Sequence, residues 1–452
     1  MRCNIILVLA SASWFMTAPL KAAPWVNTDD QYLRSSIQLL ADAGQIRTAV
    51  NTFPLMWRPL LQDLARIDTS SLNDAQLLAY TRLLTAARFA QQETLTSLAL
   101  SGSTDPFGLP VGGNAYQEQA KVSLGTELKG HNWSAGVFKQ FRDNAYDSNL
   151  YTDNKTHWDG SYSAYTLGNW VLMAGVVPQW WGPAQHQSFL FDNQSRPAKS
   201  VQVSRLNANE LLGNAVSWLG PIHVNVQIGE YAGTSVLRHA RYGAARANFR
   251  PIPSLEIGGS LVRLRPYPEQ LASVPALFER YTVADSTTVG IDVQWRQGDW
   301  SLYSELSSQR TGEISQGWLL GAQWHFGHES LLLNAFAEIQ HIPEKYQYWL
   351  SLQPNEALAQ PKRMITLGIK AYMPQGHAAY AKISLVDDSD KVIQLVEETP
   401  YLSDPISLHS GIQLPVLGGL LSLDYRLQHG DNVLSNQTEF THRAGATWEW
   451  RW

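Results

Sequence analysis

The C-terminal segment 440–452 constrains this chain more than any other. It places Phe440, His442, Ala444, Ala446, Trp448, Trp450 and Trp452 on one face of an extended strand, and Thr441, Arg443, Gly445, Thr447, Glu449 and Arg451 on the other. Strand side chains point alternately to opposite faces, so one face is apolar and aromatic and the other polar. The same period of two recurs upstream from about residue 93. Val289, Ile291, Val293 and Trp295 alternate with Gly290, Asp292, Gln294 and Arg296; Trp318, Leu320, Ala322, Trp324 and Phe326 alternate with Leu319, Gly321, Gln323 and His325. Ile222 to Gly229 and Leu331 to Gln340 read alike. Strands of soluble folds average about 5–6 residues. These run to about ten, the length a tilted strand needs to cross a bilayer. In lipid every backbone group must be satisfied internally, so such strands must close into a ring. The fold class expected is mainly β: a transmembrane antiparallel β-barrel.

Composition agrees. Charged residues make up 16% and aromatics 11%, with 17 Trp and 18 Tyr, whereas an ordinary soluble domain is about 25% charged. The net charge is −5, and more negative once the leader's Arg2 and Lys21 are removed, which argues against a nucleic-acid partner. The leader itself has a basic start at Arg2, an apolar core from Ile5 to Ala12 and small residues at Ala18 to Ala23. That is the grammar of a secretory signal, with cleavage expected after Ala22. The only cysteine, Cys3, lies within it, so the mature chain has no disulfide.

Residues 28–91 have helical spacing instead. Thr28, Asp29 and Asp30 can cap a first helix carrying Leu33, Ile37, Leu40 and Ala41, with Gly44 as its stop. The stretch from Ile46 to Trp57 reads as an extended connection. Arg58-Pro59 opens a second helix with Leu61, Leu64 and Ala65 on one face, and Ser71 or Asn73 caps a third with a stripe of Leu77, Tyr80, Leu84 and Ala87. So small a bundle buries little by itself and must lean on something larger. The expected division is residues 1–22 signal peptide, 23–91 periplasmic helical bundle or plug, and 92–452 barrel.

Strands are expected near 93–100, 119–129, 131–141, 158–167, 170–178, 198–206, 220–230, 239–249, 254–265, 286–297, 299–309, 315–326, 329–340, 361–372, 377–387, 405–414, 419–428 and 440–452. That makes about eighteen, an even number, as such barrels favour. The pairing of 93–100 and of 207–219 stays open. Connections near 298, 327, 375 and 416 are tight, whereas 341–360 and 388–404 are long. Short turns on one side and long loops on the other are the mark of an outer-membrane barrel, periplasm and exterior respectively. Eighteen strands enclose a lumen too wide for wall side chains alone to fill. Its face carries Asp292, Arg296, Asn334, Glu338, Lys370, Lys382, Asp424, Arg426, Arg443 and Arg451, a hydrated, salt-bridged wall. A helical bundle at the periplasmic mouth would make the barrel a closed platform whose useful face is outside.

The outer connection after Pro178 runs Gln179-Trp180-Trp181-Gly182-Pro183 to Asp192-Asn193-Gln194-Ser195-Arg196-Pro197. Indoles stack on the apolar faces of sugar rings, while amides and Arg bond hydroxyls or carboxylates. Trp180, Trp181, His186, Asn193 and Arg196 are therefore the expected polysaccharide contacts, with Tyr346 and Trp349 behind them. Tyr151, Trp158 and Tyr348 add rings on the same side. The competing reading makes these rings girdle anchors at headgroup level.

Residues Pro24-Trp25-Val26 with Asp29-Asp30, Phe53-Pro54-Leu55 ahead of Trp57, and above all Trp181-Gly182-Pro183 followed by Asn193, Arg196-Pro197 and Ser204-Arg205 resemble the capsule assembly protein Wzi family of Gram-negative bacteria. The resemblance runs in order through the mature chain. The stretch between Pro183 and Asn193 (AQHQSFLFD) departs from the family pattern, which leaves the ligand open. The family resemblance implies an eighteen-stranded outer-membrane barrel with a periplasmic helical bundle, acting as a lectin that helps attach capsular polysaccharide. A terminal strand closing on an aromatic likewise resembles the C-terminal signature of bacterial outer-membrane proteins read by the barrel-assembly machinery.

Enzyme signatures are absent. There is no Gly-x-Ser-x-Gly elbow and no HExxH. Residues 108–113 form no phosphate cradle, and Asp387-Asp388-Ser389-Asp390 lacks EF-hand spacing. The expected function is non-catalytic binding of surface polysaccharide and help in its assembly or attachment, with no cofactor and no metal. Expected partners are surface polysaccharide, outer-membrane lipid and the barrel-assembly machinery, for a monomer without nucleic acid. The alternatives are a sugar-selective porin and a barrel-embedded hydrolase.

Overall fold

In the computed structural model of the chain, the residues described are 25–28, 30–104, 119–143, 156–193, 197–210, 213–230, 240–265, 285–311, 314–328, 331–343, 363–387, 402–432 and 437–452. The expected signal peptide lies outside them. The alternating segments close on themselves into one antiparallel barrel of 18 strands. In chain order they are β1 Thr94–Ser103, β2 Ala120–Lys129, β3 Trp133–Asp143, β4 in two pieces (Thr156–His157 and Tyr162–Leu167), β5 Trp170–Gly175, β6 Lys199–Arg205, β7 Ile222–Glu230, β8 Arg241–Ile252 and β9 Leu255–Arg265. They continue as β10 Ser286–Gln297, β11 Trp300–Arg310, β12 Ile314–His328, β13 Leu331–His341, β14 Arg363–Tyr372, β15 Ala378–Asp387, β16 Leu402–Val416, β17 Gly419–Asn432 and β18 Thr438–Arg451. Both pieces of β4 pair with β3. The seam closes where β18 pairs with β1, Arg451 opposite Ser97 and Gly445 opposite Ser103. Thus the first expected strand, the doubtful one, is real and completes the ring.

The wall is inverted relative to a soluble protein. On β11, Ser301, Tyr303, Glu305, Ser307 and Gln309 are buried, while Trp300, Leu302 and Leu306 are about half exposed. Polar groups face a filled interior and apolar groups face outward, as lipid requires. At the short-turn edge Trp300 and Trp324 stack at 5.2 Å and Trp450 and Trp452 at 4.2 Å, an aromatic girdle of the kind barrels set at an interface. The turns at this edge are tight, such as Gly298-Asp299, where Gly298 takes φ +62°, a value glycine adopts without steric cost. One connection at this edge is long: 206–221 contains a 3₁₀ turn, Asn214–Leu219, and that accounts for the unassigned stretch.

The helices are α1 Gln31–Asp42, α2 Trp57–Leu64 and α3 Asp74–Ala90. Asp30 caps α1 by accepting from Leu33 N at 2.9 Å, and Asn73 caps α3 in a capping box with Gln76. The buried faces differ from the expected stripes. In α2 the buried residues are Trp57, Pro59, Leu60, Asp63 and Leu64, with Ala65 exposed; in α3 they are Ala75, Ala79, Leu83 and Ala87, with Leu77 exposed. Small residues let α3 lie close to its neighbours: a Cβ on Gly327 of β12 would collide with Ala75. All three helices gather at the short-turn edge. Tyr32 donates to Met373 O, Ser35 bonds the Tyr372 hydroxyl at 2.7 Å, and Lys129 donates to Ala90 O at 3.1 Å.

Candidate functional site: a loop folded into the lumen

Two segments that sequence reasoning placed apart meet inside the barrel. The first is the connection after α1. Glu256 on β9 accepts from Val50 N at 3.1 Å and Asn51 N at 2.9 Å. Arg246 on β8 donates to Thr52 Oγ1 at 2.6 Å and to Asn51 O at 3.2 Å, while holding Asp292 of β10 at 2.6 Å. Arg250 reaches the carbonyls of Ile46 and Ala41 at 2.6 and 2.7 Å. Below these, Arg296 of β10 bridges Asp42 of α1 and Glu256, each at 2.9 Å. Glu256, Arg246, Arg250 and Arg296, all buried in the wall, thus fix this segment.

The second segment is the β5–β6 connection. Trp180 and Trp181 form a short antiparallel pairing with Phe53 and Thr52, and Gly182 N donates to Asn51 O at 2.9 Å. Glu305 of β11 accepts from Ala184 N and Phe189 N, both at 3.2 Å. Glu338 of β13 accepts from Gln185 N, His186 N and the Tyr303 hydroxyl. Each carboxylate has two or more donors aimed at it, as a buried acid requires. Lys370 reaches Gln185 Oε1 at 2.9 Å and Lys382 reaches His186 Nδ1 at 2.8 Å. The wall makes room with glycine: a Cβ at Gly317 would meet the Phe189 ring, and one at Gly290 would meet Leu190. Phe191 closes against Trp181 and Tyr242, centroids 4.5 and 5.7 Å apart.

Arg34 of α1 ties the two segments together. Its guanidinium lies 4.2 Å from the Trp180 ring centroid and 5.1 Å from that of Phe53, a cation–π contact with both rings. Burial pulls its pKa down to about 10, which leaves it charged at neutral pH. The space remaining among α1, Val50–Phe53 and Gly182–Gln185 is a cavity of about 20 Å³, room for about one water.

The expected placement of these residues on an outer loop therefore needs correcting. Trp180 and Trp181 are 0% and 1% exposed and Asn193 is buried, its amide donating to Thr28 O at 3.1 Å. They do not present rings on an outer surface, because the wall carboxylates draw the loop inward. His186 is half-buried against Lys382. Arg196, Tyr346 and Trp349 lie outside the described residues, as do Tyr151 and Tyr348. Trp158 is half exposed and faces outward, with Lys139 Nζ 4.1 Å from its ring centroid, which favours the girdle reading. Glu256, Glu305, Arg246, Arg250 and Arg34 were missed. The available signal was an ionisable residue sharing a face with small polar ones, as Glu305 does with Ser301 and Ser307. Among the described residues, no group of three or more His, Cys, Asp or Glu side chains is placed to hold a metal ion.

Residues 96–266 match the profile of the family described as capsule assembly protein Wzi, so the resemblance carried by the Trp-Gly-Pro block is borne out over that stretch. The chain is 25% identical over 237 residues to a Klebsiella pneumoniae protein described as an uncharacterized 55.8 kDa protein in the cps region; the match takes in 52% of this chain and 45% of that relative. The chain spans about half the length of that relative. In fold it is similar to an Escherichia coli structure described as Wzi, an outer-membrane protein involved in group 1 capsule assembly and a carbohydrate-binding β-barrel. That likeness has a TM-score of 0.73 at 17% identity and covers 94% of this chain and 98% of that one.

Proposed function

We propose that this chain, a Wzi-type barrel by the match over residues 96–266, sits in the bacterial outer membrane and binds surface polysaccharide without catalysis, helping to assemble or attach it. The observation that carries the reading is the pair of carboxylates, Glu305 and Glu338, that pull the β5–β6 connection into the lumen, where it meets the segment following α1. A pore needs a continuous water path, and the space left between the two tethered inserts and α1 is about 20 Å³, room for about one water. A surface platform gains rigidity, since an insert fixed to both walls resists the pull of a long polymer. The helical segment 23–91 then closes the periplasmic mouth, the barrel occupies 92–452, and 1–22 is removed on export. The long connections face outward and carry the contacts, with Arg196, Tyr346 and Trp349 as the residues we assign to the glycan. Trp180, Trp181 and Asn193 act behind them by holding the insert.

Two measurements on the detergent-purified protein test this together. Planar-bilayer conductance near silence supports a platform, and steady open-channel current favours the sugar-selective porin. Retention of the host's own surface polysaccharide on immobilised protein supports the lectin reading; no retention by a well-folded, silent barrel removes it.

A further inference from the structure

The outer wall carries a charge pattern that neither the plug nor glycan binding uses. Just above the apolar belt, on the long-loop side, Lys199 of β6, Arg241 of β8, Arg263 and Arg265 of β9 and Arg310 of β11 all point outward and are exposed. Register places them together. Lys199 lies opposite Glu230, Glu230 opposite Arg241, and Arg241 opposite Arg265; Arg263 and Arg310 flank Thr287 from either side. Neighbouring strands are about 4.8 Å apart, so this is one contiguous patch. Two acids share it among the described residues, exposed Asp285 and half-buried Glu230, the latter 3.4 Å from Arg241. Among the described residues, five cations against two acids leave a clear excess.

The height is specific. Along β11 the outward residues run Arg310, Ser308, Leu306, Ser304, Leu302 and Trp300, and Trp300 stacks in the girdle at the other edge. Ten residues at about 3.3 Å each, tilted by about 40°, span roughly 25 Å, the height of a barrel's apolar band. The arginines thus stand at headgroup level when the girdle stands at the opposite interface. Like charges directly opposite across strands repel, as Arg241 and Arg265 do, and a shared anion removes that cost. The far side of the rim contrasts: there Arg363 faces Asp387 in register and the charge is balanced.

We propose that this patch, Lys199, Arg241, Arg263, Arg265 and Arg310, binds the phosphorylated headgroups of lipids in the outer leaflet. Arginine forks match phosphate oxygens in bidentate fashion, and the apolar residues directly below, Val201, Ile228, Leu261 and Val289, accept the acyl chains. The site stands on the outside of the wall and does not rest on the polysaccharide reading.

The test uses the full chain in phosphatidylcholine nanodiscs doped with bisphosphorylated lipid A, with bound lipid counted by native mass spectrometry. Wild type should retain lipid A. Arg263→Gln with Arg265→Gln and Arg310→Gln should retain at least about tenfold less, and the corresponding Lys variants should keep most of it. Enzymatically dephosphorylated lipid A should bind wild type no better than lipid A binds the Gln variant. A soluble phosphorylated headgroup without acyl chains should fail to displace the lipid. Equal retention by the Gln variant, or indifference to phosphate removal, overturns the proposal, and full displacement by the soluble headgroup overturns the lipid assignment. The phosphate-removal arm needs no variant, so it decides even where a substituted barrel fails to assemble.

Discussion

The carboxylate of Glu305 occupies the volume that a side chain at Gly182 would fill. Gly182 also holds φ at +130°, a region that side-chain-bearing residues avoid. The Trp-Gly-Pro block therefore owes its glycine to close approach between an inserted loop and the opposite wall. Gly182→Ala should strain the backbone and displace Glu305 at once, costing about 1–3 kcal/mol from the torsion alone. The barrel should still assemble, seen as heat-modifiable gel mobility, while planar-bilayer recordings show flickering current absent from wild type. A silent, unstrained Gly182→Ala protein would contradict this account.

Removing both tethers is a stronger version of the same test. Glu305→Ala with Glu338→Ala strands the N–H groups of Ala184, Gln185, His186 and Phe189 in the lumen, at about 1–3 kcal/mol for each left unpaired. The loop should leave the lumen to rehydrate them. Conductance should rise well above that of Gly182→Ala, and cells should become more sensitive to large antibiotics that the outer membrane normally excludes. Unchanged exclusion together with unchanged conductance would mean that the carboxylates do not hold the loop.

Arg296 has two buried acids to satisfy, Asp42 and Glu256, and is itself fully buried. Arg296→Met keeps the volume but removes the guanidinium that both buried carboxylates share, leaving Glu256 its N–H donors and Asp42 its contact with His325, a loss of about 3–5 kcal/mol. The helical segment should detach locally before the barrel melts, because this bridge joins α1 to the wall. Hydrogen exchange should show α1 losing protection while β9 and β10 keep theirs. Adding Asp42→Asn and Glu256→Gln should restore most of the protection, whereas a purely steric role for Arg296 predicts no rescue.

The barrel was almost wholly legible in the sequence, and its insert was not. Period-two alternation depends only on which face meets lipid, so β10 to β13 and the closing strand β18 could be read residue by residue. The long and short connections set orientation for the same reason. Helix starts were legible because capping is local: Asp30 and Asn73 sit where side-chain oxygens meet free N–H groups. The buried faces of α2 and α3 were not, because helical spacing permits several stripes and the barrel rim selects the one carrying Ala75 and Ala79. Trp180 and Trp181 were misplaced for a related reason. Nothing within a loop of amides and indoles says whether it extends outward or folds in; that is decided by Glu305 and Glu338, more than a hundred residues away.

The alanine stripe of α3 gives a prediction about packing. Ala79 is fully buried, and Ala75 touches the wall at Gly327. Ala79→Leu adds volume where there is none, costing about 1–3 kcal/mol. The helices should separate from the rim at lower temperature, measured as earlier protease cleavage within 57–90, with the barrel's own melting unchanged. By contrast Leu77→Ala, on the exposed side, should alter neither.

Polysaccharide retention separates direct contact from support. If Arg196, Tyr346 and Trp349 touch the glycan, Tyr346→Ala with Trp349→Ala should reduce retention at least about fivefold, the loss of two stacked rings at roughly 0.5–1.5 kcal/mol each. The barrel should stay electrically silent, since neither residue belongs to the described insert. Trp181→Ala removes a fully buried ring that packs on Phe191 and should cost about 3–5 kcal/mol of local stability. Its retention should fall only as far as conductance rises, because it acts by loosening the insert. The two measurements on one set of proteins therefore sort the residues. A Trp181→Ala barrel that stays silent yet drops its polysaccharide would return that indole to the binding surface.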